Sequence, residues 1–179
     1  RSADRVYDKA VMHRVLREAG LQTPSTLILP PFRDQPELPT LDLTLLNGPF
    51  AVKPALGGGG EGVVTEISTL DQVLIERQQF PEQQYLLQAH ITPKVLGGLP
   101  AWFRVIYCLG AIYPSFWDTT THVYTRVSPE QETRLGLGSL REVTERIARI
   151  CCLDLFSTEI ALAEADPELV GDRFEAQWT

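Results

Sequence analysis

The sequence has few cysteines and no long apolar run. Its three cysteines are an odd number, and Cys151 and Cys152 are adjacent on a predicted helix, where their side chains point in different directions. We therefore expect reduced thiols in a cytoplasmic protein. The apolar runs are far shorter than the ~20 residues that a membrane-spanning helix needs, so no membrane partner is expected.

Basic residues are also scarce. Lys and Arg total 16 against 23 Asp and Glu, which gives a formal net charge of −7. Because a nucleic-acid backbone is held by an excess of positive charge, we expect no nucleic-acid partner. The 179 residues are 44% hydrophobic, which suffices for a core and excludes disorder. The chain opens at Arg1 without Met and stops at Thr179 in an extended segment, which we interpret as an excised or incomplete piece.

The hydrophobic pattern predicts alternating helices and short strands. Helices are predicted at about residues 4–19, after Thr69, after Ser128 and at about 139–152. The stretch 30–39, with its four prolines, is predicted to be a surface loop. Strands are predicted at residues 27–29, 49–53, 63–67, 85–88, 155–162 and 173–178, with two more in 102–116 that turn at Leu109-Gly110.

The most informative segment is a run of glycines, Gly57, Gly58, Gly59 and Gly60, followed by Glu61-Gly62. Amides without side chains can approach phosphate oxygens closely. Lys53 lies at the end of the preceding strand, and a cation beside a donor-rich loop suits a polyphosphate. The alternative is a floppy hairpin tip with no ligand.

The order of elements around the glycines excludes two common nucleotide motifs. A P-loop continues with Gly-Lys-Ser/Thr and a helix, whereas here Glu61-Gly62-Val63 follows. A dinucleotide fingerprint also needs a helix after its glycines, but residues 63–67 are predicted to be a strand. The segment therefore predicts a β-hairpin flap that closes over phosphates.

Five segments in this order resemble an ATP-grasp domain, the nucleotide-binding and catalytic core of carboxylate–amine ligases. The matching segments are 8–9 (Asp-Lys) with 20–24 (Gly-Leu-Gln-Thr-Pro), 49–54 with the glycine loop, 86–91, 103–105 and 153–160. The resemblance implies an α+β fold. It would have two α+β subdomains, residues 1–91 and 92–179, whose antiparallel sheets clasp a nucleotide between them.

The resemblance also implies roles for individual residues. Lys9, Lys53 and the four glycines would contact the ATP phosphates, although Lys9 could equally lie on a solvated helix surface. Gln88 takes the hinge position where many relatives have Glu, and its amide would serve the exocyclic amine of adenine together with backbone groups of Ala89 and Ile91. His90 is expected to face away.

Glu159 is the candidate ligand for Mg²⁺, because a carboxylate among apolar neighbours needs a strong partner. The alternative is an ion pair with Arg104 or another cation. Arg104 could instead stabilise the transferred phosphoryl group or an acylphosphate. The second carboxylate and amide of the family's metal site would follow Thr179, and Glu175 is not assigned that role. Residues 117–122 are candidates for substrate contact or an ordinary polar loop.

The predicted function is therefore an ATP-dependent ligase domain that binds ATP with Mg²⁺ and activates a carboxylate as an acylphosphate for attack by an amine or similar nucleophile. The expected partners are a nucleotide and a small-molecule or peptide carboxylate, and a homodimer is left open. The full-length protein would be the enzyme, and the 179-residue piece alone would be inactive. The alternative is an inactive nucleotide-binding or scaffolding module with the same fold.

Overall fold

The computed structural model describes residues 6–163 and the backbone of strand residues 173–177. None of the helices in this described part is long and apolar enough to cross a membrane. In chain order, the helices are α1 (Lys9–Glu18), α2 (Leu70–Arg77), α3 (Pro129–Arg134) and α4 (Gly138–Cys151). The strands are β1 (Thr26–Leu29), β2 (Phe50–Pro54), β3 (Val64–Ile67), β4 (Tyr85–Ala89), β5 (Val95–Leu96), β6 (Leu99–Pro100), β7 (Trp102–Cys108), β8 (Ala111–Trp117), β9 (Tyr124–Arg126), β10 (Leu155–Ala163) and β11 (Arg173–Gln177).

The chain divides into two compact units. The first comprises Arg1–Arg14 with Pro24–His90, and the second comprises Val15–Thr23 with Ile91–Thr179. Residues 15–23 were predicted in the first subdomain but group with the second unit.

The first unit contains a four-stranded antiparallel sheet in the order β1-β4-β2-β3. One face buries an apolar core, to which Phe50, Val52 and Leu87 contribute. Alternation places Lys53 and Gln88 on the opposite face, since successive side chains of a strand point to opposite sides. The sheet therefore has one apolar face and one face with a polar row.

A buried arginine holds the proline-rich loop of the first unit. Arg77, at the end of α2, donates from Nη2 to the carbonyl oxygens of Pro30 and Gln35, both at 2.8 Å. Its guanidinium also lies 5.8 Å from the ring centroid of Phe32. Burial is the main cause that lowers the pKa of Arg77. These contacts attach the proline-rich loop to the end of helix α2.

The second unit contains a five-stranded antiparallel sheet in the order β11-β10-β7-β8-β9. The β7–β8 hairpin turns at Leu109 and Gly110, whose φ angles are 47° and 87°. Two successive positive φ angles are typical of the tight turns that match strand twist. Helix α4 lies against β7 and β8, and Phe103 and Val105 of β7 are fully buried.

Most predicted elements are confirmed, including the order of strand, glycine loop and strand. The helices predicted after Thr69 and Ser128 are present, and each of these side chains caps its helix. Two details differ. The helix predicted at about residues 4–19 is interrupted at Tyr7 and Asp8: Val6 is helical and α1 begins at Lys9, with Asp8 Oδ1 accepting from the Val11 amide at 3.0 Å, while residues 4 and 5 lie outside the described residues. Strands β5, β6 and β9 were not predicted.

Candidate functional site

The glycine loop joins β2 to β3 as the tip of an antiparallel hairpin. Residues 56–61 are all exposed. The φ angles of Gly57, Gly59 and Gly60 are 100°, 65° and 83°, and a Cβ on any of the residues 58–60 would meet no atom within 4 Å. The backbone therefore follows a path that other residues rarely adopt and is open to a second molecule.

Gly62 closes the base of this loop. An added Cβ would lie 2.7 Å from Cε2 of Phe80 and 3.0 Å from Cγ of Pro54, and the φ angle is 68°. Both the close contacts and the positive φ exclude a larger residue here. The amide of Val63 donates to the carbonyl oxygen of Gly60 at 3.1 Å, which tightens the return into β3.

Lys53 is held at the end of β2 by a neutral partner. Its side chain is buried, with 6% of the residue exposed. Its Nζ donates to Oε1 of Gln88 at 2.6 Å. The register pairs Lys53 with Leu86 on β4, so Gln88 is its diagonal neighbour on the same face. The hydrogen bond leaves the ammonium charge uncancelled by Gln88, because an amide carries no net charge.

The other end of the Gln88 amide is also engaged. Its Nε2 donates to Oγ1 of Thr26 at 3.0 Å, and the Thr26 hydroxyl donates to the carbonyl oxygen of Pro24 at 2.8 Å. The ladder places Thr26 opposite Gln88. The polar row thus runs across three neighbouring strands, from β1 through β4 to β2.

Lys9 is buried rather than on a solvated helix surface, so the alternative interpretation of this residue was wrong. Its Nζ donates to the carbonyl oxygens of Gly57 at 2.5 Å and Pro54 at 3.4 Å. Its backbone amide donates to Ala55 at 2.8 Å. Burial lowers the pKa of Lys9, and the charge of Asp8 opposes this shift. Lys9 therefore anchors the start of the glycine loop, and its contact with phosphates stays a prediction.

The remaining hinge residues have different surroundings. The backbone N–H of Ala89 donates to the carbonyl oxygen of Ser25 at 2.8 Å. His90 is exposed. Ile91 belongs to the second unit, where it is buried beside Ala161. The predicted adenine contacts of Ala89 and Ile91 are not tested by these positions.

In the second unit, Arg104 and Glu159 form an ion pair across β7 and β10. Arg104 Nη1 donates to Oε1 of Glu159, and the register pairs the two residues directly. The side chain of Glu159 is 8% exposed and that of Arg104 is 23% exposed. The ion-pair alternative considered for Glu159 is therefore present. It does not exclude a second ligand for either side chain.

These surroundings do not suit Mg²⁺ by themselves. The ion prefers an octahedral shell of oxygen ligands, whereas the Glu159 carboxylate is engaged by a guanidinium. Among residues 6–163, no group of three or more His, Cys, Asp or Glu residues could hold a metal ion. The ladder places Gln177 opposite Glu159 and Glu175 opposite Ala161. The described residues thus do not complete a magnesium site, and the metal role of Glu159 stays a prediction.

The loop after β8 is a compact polar turn. Asp118 Oδ1 accepts from the amides of Thr120 at 2.8 Å and Thr121 at 3.2 Å. These hydrogen bonds lower the pKa of the Asp118 carboxyl. The ring centroids of Trp117 and His122 are 6.3 Å apart. The loop is ordered by its own contacts, and its role in substrate contact stays a prediction.

Several solved structures have a fold similar to that of this chain. D-alanine–D-alanine ligase from Bacillus anthracis, complexed with ATP, superposes with a TM-score of 0.65 at 14% sequence identity over 99% of this chain and 55% of that chain. L-amino acid ligase from Bacillus licheniformis gives a TM-score of 0.62 at 16% identity over 91% of this chain and 41% of that chain. The chain has the ATP-grasp fold.

A third structure, the VanG D-Ala:D-Ser ligase from Enterococcus faecalis, has a TM-score of 0.60 at 12% identity, and the match covers 99% of this chain and 53% of that chain. The chain thus spans about half the length of these ligases. No protein-family model and no curated protein sequence matches it. At such low identities the likeness establishes the fold and not the reaction.

Sequence analysis missed one member of the polar row, Thr26. Thr26 belongs to no recognised motif, and only the register of β1 against β4 brings it to Gln88. A threonine at the start of a predicted strand was the only available signal. Nothing in the sequence pointed to its partner 62 residues away.

Proposed function

We propose that the first unit binds the phosphates and adenine of ATP and that the chain is the ATP-binding part of an ATP-dependent ligase. The observation that carries this proposal is the position of Lys53, held at the end of β2 beside an exposed, glycine-only stretch of backbone. A point ammonium suits phosphate because it makes little geometric demand. The ATP-grasp fold and the ATP complex of one structural neighbour support the same assignment.

The proposed reaction is formation of an acylphosphate from ATP and a carboxylate, followed by attack of an amine or similar nucleophile. The protein's contribution would be positioning and charge neutralisation. Lys53 would neutralise phosphate charge. Arg104 would face the transferred phosphoryl group or the acylphosphate, since a guanidinium presents parallel donors. Magnesium would accompany the phosphates, with Glu159 as its proposed protein ligand once released from Arg104.

ATP binding is tested by isothermal titration calorimetry of the chain with ATP. We expect Lys53→Ala to weaken binding by roughly 1.5–3 kcal/mol, the typical loss for one charge-assisted hydrogen bond. Lys94→Ala removes the same charge from the second unit and is the matched control. Equal affinity in the wild type and Lys53→Ala would contradict the phosphate role of Lys53.

The ligase step is tested in the natural protein with hydroxylamine, which traps acylphosphates as hydroxamates. The assay contains ATP, Mg²⁺ and free amino acids or dipeptides as carboxylate substrates. ATP-dependent hydroxamate with at least one carboxylate is the expected result. ATP binding without hydroxamate from any of them would contradict the ligase assignment.

A second candidate function is nucleotide binding without ligation. The observation that favours it is the Arg104–Glu159 ion pair, which occupies the proposed metal ligand. The two candidates differ in the effect of Mg²⁺ on ATP affinity. The ligase proposal expects Mg²⁺ to tighten ATP binding in the wild type and not in Glu159→Gln. Equal tightening in both proteins would make Glu159 a structural partner of Arg104.

A further inference from the structure

The Gln88 side chain lies between two partners that require the same orientation of its amide. A lysine ammonium can only donate, so Lys53 must face the amide oxygen. The Thr26 hydroxyl donates its single proton to Pro24, so towards Gln88 it can act only as an acceptor and must face the amide nitrogen. Flipping the amide would place donor against donor at Lys53 and acceptor against acceptor at Thr26.

Two members of the row are buried and the third, Thr26, is half-buried, which limits the access of water to the Gln88 amide. Gln88 is 5% exposed and Lys53 is 6% exposed. A buried amide nitrogen that loses its acceptor keeps its full desolvation cost. The Thr26 hydroxyl oxygen therefore keeps the Gln88 amide nitrogen directed away from Lys53.

We propose that Thr26 is a positioning residue that determines the nucleobase preference of the site, by fixing the Gln88 amide with its oxygen towards Lys53. This inference rests on the proposed function, in which Gln88 lies at the adenine. An amide oxygen has two lone pairs, and Lys53 uses one of them. The fixed oxygen can accept a hydrogen bond from the exocyclic amine of adenine. Guanine has a carbonyl oxygen at the corresponding position, so two acceptors would face each other and repel. The substrate class is thus adenine rather than guanine nucleotides.

The first test needs no nucleotide. Thr26→Val keeps the shape of the side chain and its preference for strands but removes the oxygen, and Thr26→Ser restores the oxygen. In nucleotide-free protein, we expect the Gln88 side-chain amide protons to exchange with solvent about tenfold faster in Thr26→Val than in the wild type, with Thr26→Ser close to the wild type. Thr125→Val, on exposed strand β9, is the matched control. Unchanged exchange in Thr26→Val would overturn the positioning role.

The second test measures affinities for ATP and GTP by calorimetry in the same variants. We expect Thr26→Val to lower the preference for ATP over GTP about five- to tenfold, while Thr26→Ser retains it. A ratio unchanged in Thr26→Val, despite faster amide exchange, would overturn the specificity role. Failure of the wild type to bind either nucleotide would refute the proposed function and the specificity role, and the exchange experiment would still decide whether Thr26 orients Gln88.

Discussion

The two units each hold a cation on a sheet face, but they hold it with different partners. In the first unit, Lys53 donates to the neutral amide of Gln88. In the second unit, Arg104 donates to the carboxylate of Glu159. Gln88 positions Lys53 through a neutral acceptor, whereas Glu159 positions Arg104 through a charge of opposite sign. A ligand that binds Arg104 or Glu159 must therefore compete with an ion pair.

The largest expected effect on stability comes from removing one partner of the ion pair. Arg104→Met would remove the guanidinium that donates to the Glu159 carboxylate, whose side chain is 8% exposed. Removing one partner of a buried pair costs about 3–5 kcal/mol, and we expect about 2–4 kcal/mol because Arg104 is partly exposed. Urea denaturation at pH 7 measures this loss.

The double variant Arg104→Met/Glu159→Gln is the control for that prediction. It removes both charges, so it should recover most of the lost stability, since a neutral pair has no buried charge to solvate. If the double variant is as unstable as Arg104→Met, the two side chains are not coupled.

Glu159→Gln alone converts the second arrangement into a copy of the first, a cation with an amide partner. We expect a smaller loss, about 1 kcal/mol, because the amide can still accept a hydrogen bond and the Arg104 side chain, 23% exposed, can reach water. The same urea experiment measures it. A loss as large as that of Arg104→Met would contradict the expectation that Arg104, which is more exposed than Glu159, tolerates the loss of its charged partner better.

The smallest expected effect concerns Lys9, the second lysine of the first unit. Burial lowers its pKa in the folded chain below the usual 10.5. Between the lowered value and 10.5 the unfolded chain binds more protons than the folded chain, so the free energy of unfolding should rise with pH in this window. Lys9→Met removes this rise.

Urea midpoints between about pH 8 and pH 10.5 measure the Lys9 effect, with Lys94→Met as the control. We expect the difference in stability between the wild type and Lys9→Met to change with pH in favour of the wild type. Parallel pH profiles for these two proteins would show that the titration of Lys9 is not linked to folding.

The sequence was sufficient for the elements that depend on local pattern. The β-branched residues after the glycines predicted the hairpin, and Ser128-Pro129 predicted the start of α3. Strand β9 was missed because its three residues are all exposed, which leaves no apolar alternation to recognise. Its position depends on pairing with β8 rather than on its own composition.

The partners in the candidate site were harder to predict, because they depend on strand register. Lys53 and Gln88 are separated by 35 residues, and Arg104 and Glu159 by 55. The second pair could be named as an alternative because its charges are opposite. The first could not, since a neutral amide gives no electrostatic signal of its partner.

The most direct test of the account compares ATP with adenosine in the wild type and Lys53→Ala. If Lys53 binds phosphates, the substitution should weaken ATP binding by about tenfold or more beyond any loss of adenosine binding, because adenosine carries no phosphate but shares the base site in which Lys53 holds Gln88. An equal loss for both ligands, or no loss for ATP, would contradict the assignment of the first unit as a polyphosphate site.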